Sequence, residues 1–229
     1  KLFLTNYLKS KEVSKDEILQ AGLFQSTGGS KELAYYLADL NPEIYLAWSQ
    51  KANLAGDQVK ALEYMELAHK RGAIESKDII IQRIRIYGEQ GKTDLALKEI
   101  EKALVVDANS ADLYYQKGTL LMSQNKMEEA EKHLLKAISL DPKLADAYNN
   151  LATIKGMKQD YKAVIDILNK AVLQDNSNSK IFFNRGYAKG FMGDFQGAVN
   201  DFTQTLILDP ANGKALVLRG RAYISMGKK

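Results

Sequence analysis

Several residue types are missing or scarce in this chain, and each shortage removes a class of chemistry. The 229 residues include no cysteine, which excludes disulfides, thiol nucleophiles and thiolate metal sites. Only two histidines occur, His69 and His133, and their separation does not match the His-Glu-x-x-His pattern of zinc proteases. No apolar run approaches the roughly 18 to 20 residues that a membrane-spanning helix needs.

The charge of the chain is close to balanced. It carries 32 basic and 28 acidic residues, a net charge of +4, and this balance argues against a nucleic-acid-binding protein. The chain begins with Lys1 rather than Met, so we expect a fragment or a processed product. The compartment stays open on sequence alone: cytoplasmic, or periplasmic or exported if a signal or lipid-attachment segment was removed before Lys1.

The sequence contains no complete catalytic motif. Gly91-Lys92-Thr93 has the ending of a phosphate-binding loop, but the required earlier glycine is replaced by Ile86, which favours a turn between helices. The acidic stretch that includes Glu128 and Glu131 suits the positive end of a helix dipole and needs no catalytic role. We therefore predict a protein that is not an enzyme and that holds no cofactor or metal. Both histidines are expected on exposed helix surfaces.

The sequence repeats itself every 34 residues. Asp141-Pro142 and Asp209-Pro210 are 68 residues apart; Asp175 lies midway between them, and Asp107 lies one further step of 34 residues upstream. A recurrence at one constant period indicates a repeat architecture. The predicted units are 77–110, 111–144, 145–178 and 179–212, followed by a partial unit at 213–229.

Apolar residues recur at fixed positions of each unit, three or four residues apart within each half, as on one face of a helix. Each unit therefore predicts two helices, A and B, joined by a polar turn in which Gly91 and Gly193 adopt the left-handed conformation that ends a helix. Four positions show this most clearly. Position 4 holds Ile80, Tyr114, Tyr148, Phe182 and Leu216, and position 8 holds Ile84, Gly118, Ala152, Gly186 and Gly220. Position 20 holds Ala96, Ala130, Val164 and Ala198, and position 24 holds Ile100, Leu134, Leu168 and Phe202.

This pattern resembles the tetratricopeptide repeat, most closely in unit 111–144. The resemblance implies an all-α fold, a right-handed α-solenoid, or superhelix, of antiparallel helix pairs. Units 77–110 and 145–178 depart from the family pattern, at Ile84 and Ala108 and at Val164 and Asn176, where we expect locally looser contacts and the same fold.

Upstream of residue 77 the pattern weakens. Residues 42–76 resemble an irregular unit, with Ala61, Met65 and Ala68 at core positions, and Trp48 falls at position 4 or position 7 depending on how the register is counted. Residues 1–41 are predicted to form a divergent helix pair around a loop at 26–29, with Ser30 capping a second helix over 31–40.

The partial unit 213–229 contains only a helix A. We expect Leu216, Ala222 and Tyr223 to lack a covering helix B, which indicates either a truncated sequence or an end that another chain covers.

In the tetratricopeptide family, helix A lines the concave groove that usually binds ligands. The resemblance thus places four amide side chains in the groove at position 6: Gln82, Gln116, Asn150 and Asn184. Some family members use such a ladder to bind the backbone of an extended peptide, and each amide offers both a donor and an acceptor. The alternative is that these residues are family consensus and only solvated.

Two further groove features are candidates. Phe183, Tyr187 and Phe191 share one helix face, where they form either a binding hot spot or packing against the adjacent repeat. The remaining candidates are Tyr115 at position 5, the two lysines that replace the aspartates of earlier units at position 2, Lys180 and Lys214, and Arg221 at position 9. The carboxylate clamp of the family, which binds acidic chaperone C-termini, is rejected because at most two of its five positions match.

Three functions remain on sequence grounds. The first is a non-enzymatic protein-interaction module or scaffold that binds an extended peptide or a helix of an unidentified protein partner in the groove. The second is a structural part that self-associates through its open C-terminal end. The third is the docking arm of a larger enzyme whose catalytic domain lies elsewhere.

Overall fold

The computed structural model describes residues 31–74 and 76–227, and the regular secondary structure of these residues is entirely α-helical. The predicted loop at 26–29 and the Ser30 cap lie outside the described residues. The helices are α1 Lys31–Leu40, α2 Glu43–Leu54, α3 Gln58–Lys70, α4 Lys77–Glu89, α5 Thr93–Val106, α6 Ala111–Ser123, α7 Met127–Leu140, α8 Ala145–Met157, α9 Tyr161–Gln174, α10 Ser179–Phe191, α11 Phe195–Leu208 and α12 Gly213–Ser225.

The chain divides into two compact units, residues 1–92 and 93–229. Unit one contains α1 to α4, and its core is aromatic. Tyr45 and Trp48 are buried on α2, and their rings meet edge to face with centroids 5.6 Å apart. Tyr35 and Tyr64 pack on the same indole. Burial, followed by a hydrogen bond with Tyr35, raises the pKa of Tyr64 to about 12.

Unit two contains α5 to α12, which alternate as helices B and A of successive repeats. Three residues join each helix A to its helix B, and four residues join each helix B to the next helix A. Such short connections make neighbouring helices antiparallel. Ala130, Leu134 and Ala137 of α7 are fully buried, and the equivalent residues of α9 and α11 are buried too, so the 34-residue pattern is the packing pattern.

Each helix A ends in the same backbone conformation. The residue at position 15 has positive φ in every case: Gly91, Asn125, Gln159, Gly193 and Gly227. The left-handed turn predicted for Gly91 and Gly193 is therefore confirmed, and two units form it without glycine. In the irregular upstream unit Gly56 has positive φ as well, and counting from it places Tyr45 at position 4 and Trp48 at position 7.

Several expectations need correction. Ala222 was expected to be uncovered, but it is buried against α11, because it faces backward onto the preceding repeat, whereas Leu216 and Tyr223 face outward and are exposed. His133 was expected on an exposed surface, but it is half-buried and stacks on Tyr114 with ring centroids 5.9 Å apart.

Two of the four residues that depart from the family pattern lie in the core, whereas Ala108 and Asn176 are exposed. Ile84 and Val164 are buried, although each is larger than the residue the family pattern favours at its position.

Candidate functional site

The candidate site lies on the helices A of unit two, α6, α8, α10 and α12, and we call the side that they present the A-face. Successive helices A contact one another along this face: α8 contacts α10, and α10 contacts α12. All predicted groove residues but one belong to these helices. The exception is Gln82 on α4 of unit one, where it is half-buried.

Two of the four amides at position 6, Asn150 and Asn184, form hydrogen bonds between adjacent helices A. The Asn150 Nδ2 donates to the Thr119 Oγ1 at 2.9 Å, and the Asn184 Nδ2 donates to the Asn149 Oδ1 at 3.2 Å. Thr119 is held in turn, because its hydroxyl donates to the Tyr115 carbonyl oxygen at 3.0 Å. Each bond uses one of the two N–H groups of an amide, so the second N–H and the carbonyl oxygen remain for another partner.

Ionic contacts hold α10 in place beneath this face. Asp201 of α11 is buried, and its carboxylate accepts hydrogen bonds from Arg185 Nε at 2.9 Å and Nη2 at 2.6 Å. The Lys189 ammonium lies 2.9 Å from the same carboxylate. One buried carboxylate therefore orients two cations of α10, and such charge-assisted, bidentate contacts are geometrically specific.

The three aromatic residues predicted on α10 have different surroundings. Phe183 is half-buried and packs on Phe202, at a centroid distance of 5.9 Å, as part of the core. Tyr187 and Phe191 are 43% and 57% exposed. Phe191 stacks almost parallel on Tyr161 of the preceding repeat, with centroids 4.6 Å apart. Packing within its own repeat thus accounts for Phe183, and packing on the preceding repeat covers one side of Phe191. Tyr187 and the other side of Phe191 stay open.

Three of the predicted residues meet at a pocket between α10, α11 and α12. Tyr187, Phe191 and Arg221 all line it, and the pocket encloses about 170 Å³. Its remaining lining is mostly apolar and includes Phe195, Phe202 and Leu218. Two glycines of α10 also line it: Gly186 lets Phe202 pack closely on the helix backbone, whereas a Cβ at Gly190 would meet only the Ala198 Cβ, 4.0 Å away.

The basic residues lie at the same end of the A-face. Lys180, Lys214 and Arg221 are exposed, and within residues 31–74 and 76–227 none of them forms an ion pair. Residues 179–227 contain six basic and three acidic side chains, a net charge of +3. Residues 111–178 contain nine of each and are neutral. The positive charge of unit two is therefore concentrated around the pocket.

Sequence reasoning missed three residues of this face. Thr119 and Asn149 occupy positions 9 and 5, which the family already assigns to the groove, so their position was a usable signal. Tyr161 is the first residue of a helix B, and nothing in the period indicates that its ring reaches α10.

The described residues offer no metal site, since no group of three or more His, Asp or Glu side chains comes together in them. None of the described helices has the length and apolar character needed to cross a lipid bilayer.

Comparison with known proteins identifies the repeat. The family model of the tetratricopeptide repeat matches residues 111–144. A search of curated proteins returns no match.

Solved structures share the fold. The chain is 24% identical to the MamA protein with a TM-score of 0.57, and the match covers 66% of this chain and 82% of MamA. A tetratricopeptide repeat protein from Parabacteroides merdae gives a TM-score of 0.64 at 17% identity, over 81% of this chain and 73% of that one.

A third structure contains a bound peptide. It is the first tetratricopeptide domain of Spaghetti (RPAP3), solved with the HSP90 peptide SRMEEVD. This domain is 23% identical to the chain with a TM-score of 0.50, and the match covers 52% of this chain and 94% of the domain. The 34-residue period, the buried core positions and these matches agree: residues 111–144 match the tetratricopeptide repeat, and the chain shares the α-solenoid fold of these structures.

Proposed function

We propose that this chain is a protein-interaction module, not an enzyme, and that its A-face binds an extended peptide segment of a partner protein. The observation that carries the proposal is the set of position-6 amides. Asn150 and Asn184 are each anchored by one N–H to the neighbouring helix A, and the rest of each amide is half-exposed. Their separation by one repeat gives a regular series of donors and acceptors.

Such a series suits the main chain of a peptide. A backbone has one donor and one acceptor per residue, and an amide side chain complements both without reading the sequence. Anchoring also lowers the entropic cost of binding, because the side chains are ordered before the ligand arrives. The RPAP3 domain, which shares the fold, holds a peptide, and we assign the same kind of ligand to this chain.

The test is a double variant, Asn150→Ala with Asn184→Ala, measured for peptide binding by fluorescence anisotropy against a library of labelled extended peptides. We expect binding to weaken by about tenfold, since each lost amide contact contributes about 0.5–1.5 kcal/mol. Circular dichroism should show unchanged helicity, with a modest loss of stability from the missing inter-helix bonds.

Thr119→Val is the matched control. It removes the acceptor of the Asn150 amide and leaves the amide itself in place. Because Asn150 loses only its anchor, we expect a smaller loss of binding than in the double variant. If the double variant binds normally, the amides do not contact the ligand and the proposal fails.

Self-association is a second candidate, favoured by one observation. On α12 four large apolar side chains are exposed in the structure, Leu216, Val217, Tyr223 and Ile224. An apolar helix face of this kind is typical of a contact surface. Light scattering over a range of concentrations decides between the two: a monomer throughout removes the second candidate.

A further inference from the structure

We propose that the pocket between α10, α11 and α12 binds a bulky apolar side chain carried by an acidic segment of the partner. This inference rests on the peptide-binding function proposed above and adds the chemistry of the ligand. It uses the pocket, the two exposed rings and the uncompensated cations, none of which the amide series explains.

The size of the pocket selects one large side chain. A cavity of about 150 Å³ lined by apolar residues holds a benzene molecule, and this pocket encloses about 170 Å³. Tyr187 and Phe191 stand on one wall, at a centroid distance of 4.9 Å from each other. A tryptophan, phenylalanine or leucine side chain would therefore be covered by rings that otherwise remain in water, and such aromatic pockets are typical binding hot spots.

The charges around the pocket select an acidic segment. Arg221 lines the pocket and has no acidic partner in the part of the chain that the structure describes. Neither α10 nor α12 contains an aspartate or glutamate, whereas α6 and α8 each have an aspartate in the first turn. A carboxylate next to the apolar side chain would meet Arg221, and a neutral or basic segment would leave that charge unpaired.

The helix geometry also gives the spacing of a second acidic residue. Lys180 precedes Tyr187 by seven residues, and Lys214 precedes Arg221 by seven, so each lysine lies on the same helix face as a pocket residue. Seven residues of helix span about 10 Å. An extended chain covers this distance in about three residues. The ligand is thus a bulky apolar residue with one adjacent carboxylate and another about three residues away.

The experiment uses the whole chain and a labelled synthetic peptide with a central tryptophan, an adjacent aspartate and a glutamate three residues away. Two matched peptides replace the tryptophan by alanine or the acids by their amides. We expect each replacement to weaken binding about tenfold or more, and we expect only the acidic contribution to fall as salt is raised.

Protein variants locate the interaction. A Cβ at residue 190 points at the Ala198 Cβ in the pocket floor, 4.0 Å away, so Gly190→Leu fills the pocket and also removes a helix glycine. It should fold at least as stably as the parent and bind the tryptophan peptide at least tenfold more weakly. Arg221→Glu should weaken binding about fivefold to tenfold at low salt. Leu173→Ala truncates an exposed apolar residue far along the sequence, on α9, and should change nothing.

The outcomes separate this inference from the function on which it rests. Suppose that peptides bind and that the Asn150 and Asn184 variants weaken this binding. If Gly190→Leu and Arg221→Glu leave the affinity unchanged, the peptide-binding function of the A-face stands and the inference about the pocket is wrong. The same holds if the uncharged peptide binds as well as the acidic one. If no peptide of the library binds, both are wrong. If light scattering shows a dimer and Gly190→Leu abolishes it, a second copy of the chain occupies the pocket and the inference is wrong as well.

Discussion

Aromatic rings gather at two places in this chain, once in each compact unit, and they are used differently. In unit one Tyr45 and Trp48 are 2% and 7% exposed and are packed among other rings and aliphatic side chains. In unit two Tyr187 and Phe191 stand beside a pocket with about half of their surface exposed. The first cluster stabilises the fold, whereas the second leaves apolar surface in water, which a binding partner would bury.

The largest expected effect comes from truncating one ring of each cluster. Trp48→Ala should lower the free energy of unfolding of unit one by about 3–5 kcal/mol, because it leaves a large cavity in a packed core. Phe191→Ala should cost less than about 1 kcal/mol, since it loses chiefly the stack on Tyr161. Urea unfolding followed by circular dichroism measures both. Equal losses would show that the exposed rings are also core.

The second effect concerns the support of the exposed cluster. Asp201→Asn removes the buried charge that pairs with Arg185 and Lys189 and should cost about 3 kcal/mol, because two largely buried cations lose their carboxylate partner. Glu128→Gln removes a solvent-exposed pair with Lys158, and we expect no measurable change. A loss for Asp201→Asn no larger than for the control would mean that packing alone holds α10.

The third effect compares the glycines at position 8 of two repeats. A Cβ at Gly118 would lie 2.8 Å from the Leu134 Cγ, so Gly118→Ala should destabilise the chain by about 1–3 kcal/mol. Gly220 has open space around it, so Gly220→Ala should stabilise α12 by about 0.8–1.0 kcal/mol. In thermal unfolding, the melting temperature should fall for Gly118→Ala and rise for Gly220→Ala. A destabilising Gly220→Ala would indicate that another surface already covers this face.

The smallest effect is a pH dependence at a third ring pair, Tyr114 and His133. Burial, followed by the charges of Lys117 and Lys132, holds the pKa of His133 below its usual value. The unfolded chain therefore binds this proton more tightly, and stability should fall as the pH drops through about 6.5. His133→Gln should flatten that slope when unfolding is measured between pH 5 and pH 8. An unchanged slope would assign the dependence to other groups.

The sequence predicts the core better than the surface of the site. The core positions repeat with the 34-residue period, and Ala130 and Leu134 are buried as that period requires. The ion pairs between helices are less predictable. The Asp201 carboxylate could pair with any of several cations, and only the packing of the side chains shows that it pairs with Arg185 and Lys189. The location of the Phe183 side chain could not be predicted either, because a residue at position 5 can face the groove or pack in the core, as Phe183 does on Phe202.

The left-handed residue that ends each helix A bears on how such a chain changes length. Asn125 and Gln159 have the same backbone conformation, with φ of 61° and 59°. Deleting residues 126–159 would join Asn125 to Asp160, the residue whose side chain caps α9. Leu168 would then replace Leu134 opposite Gly118, at the same position of the repeat. A gene encoding this region can therefore lose or duplicate one repeat in a single step and still specify intact turns and a continuous core.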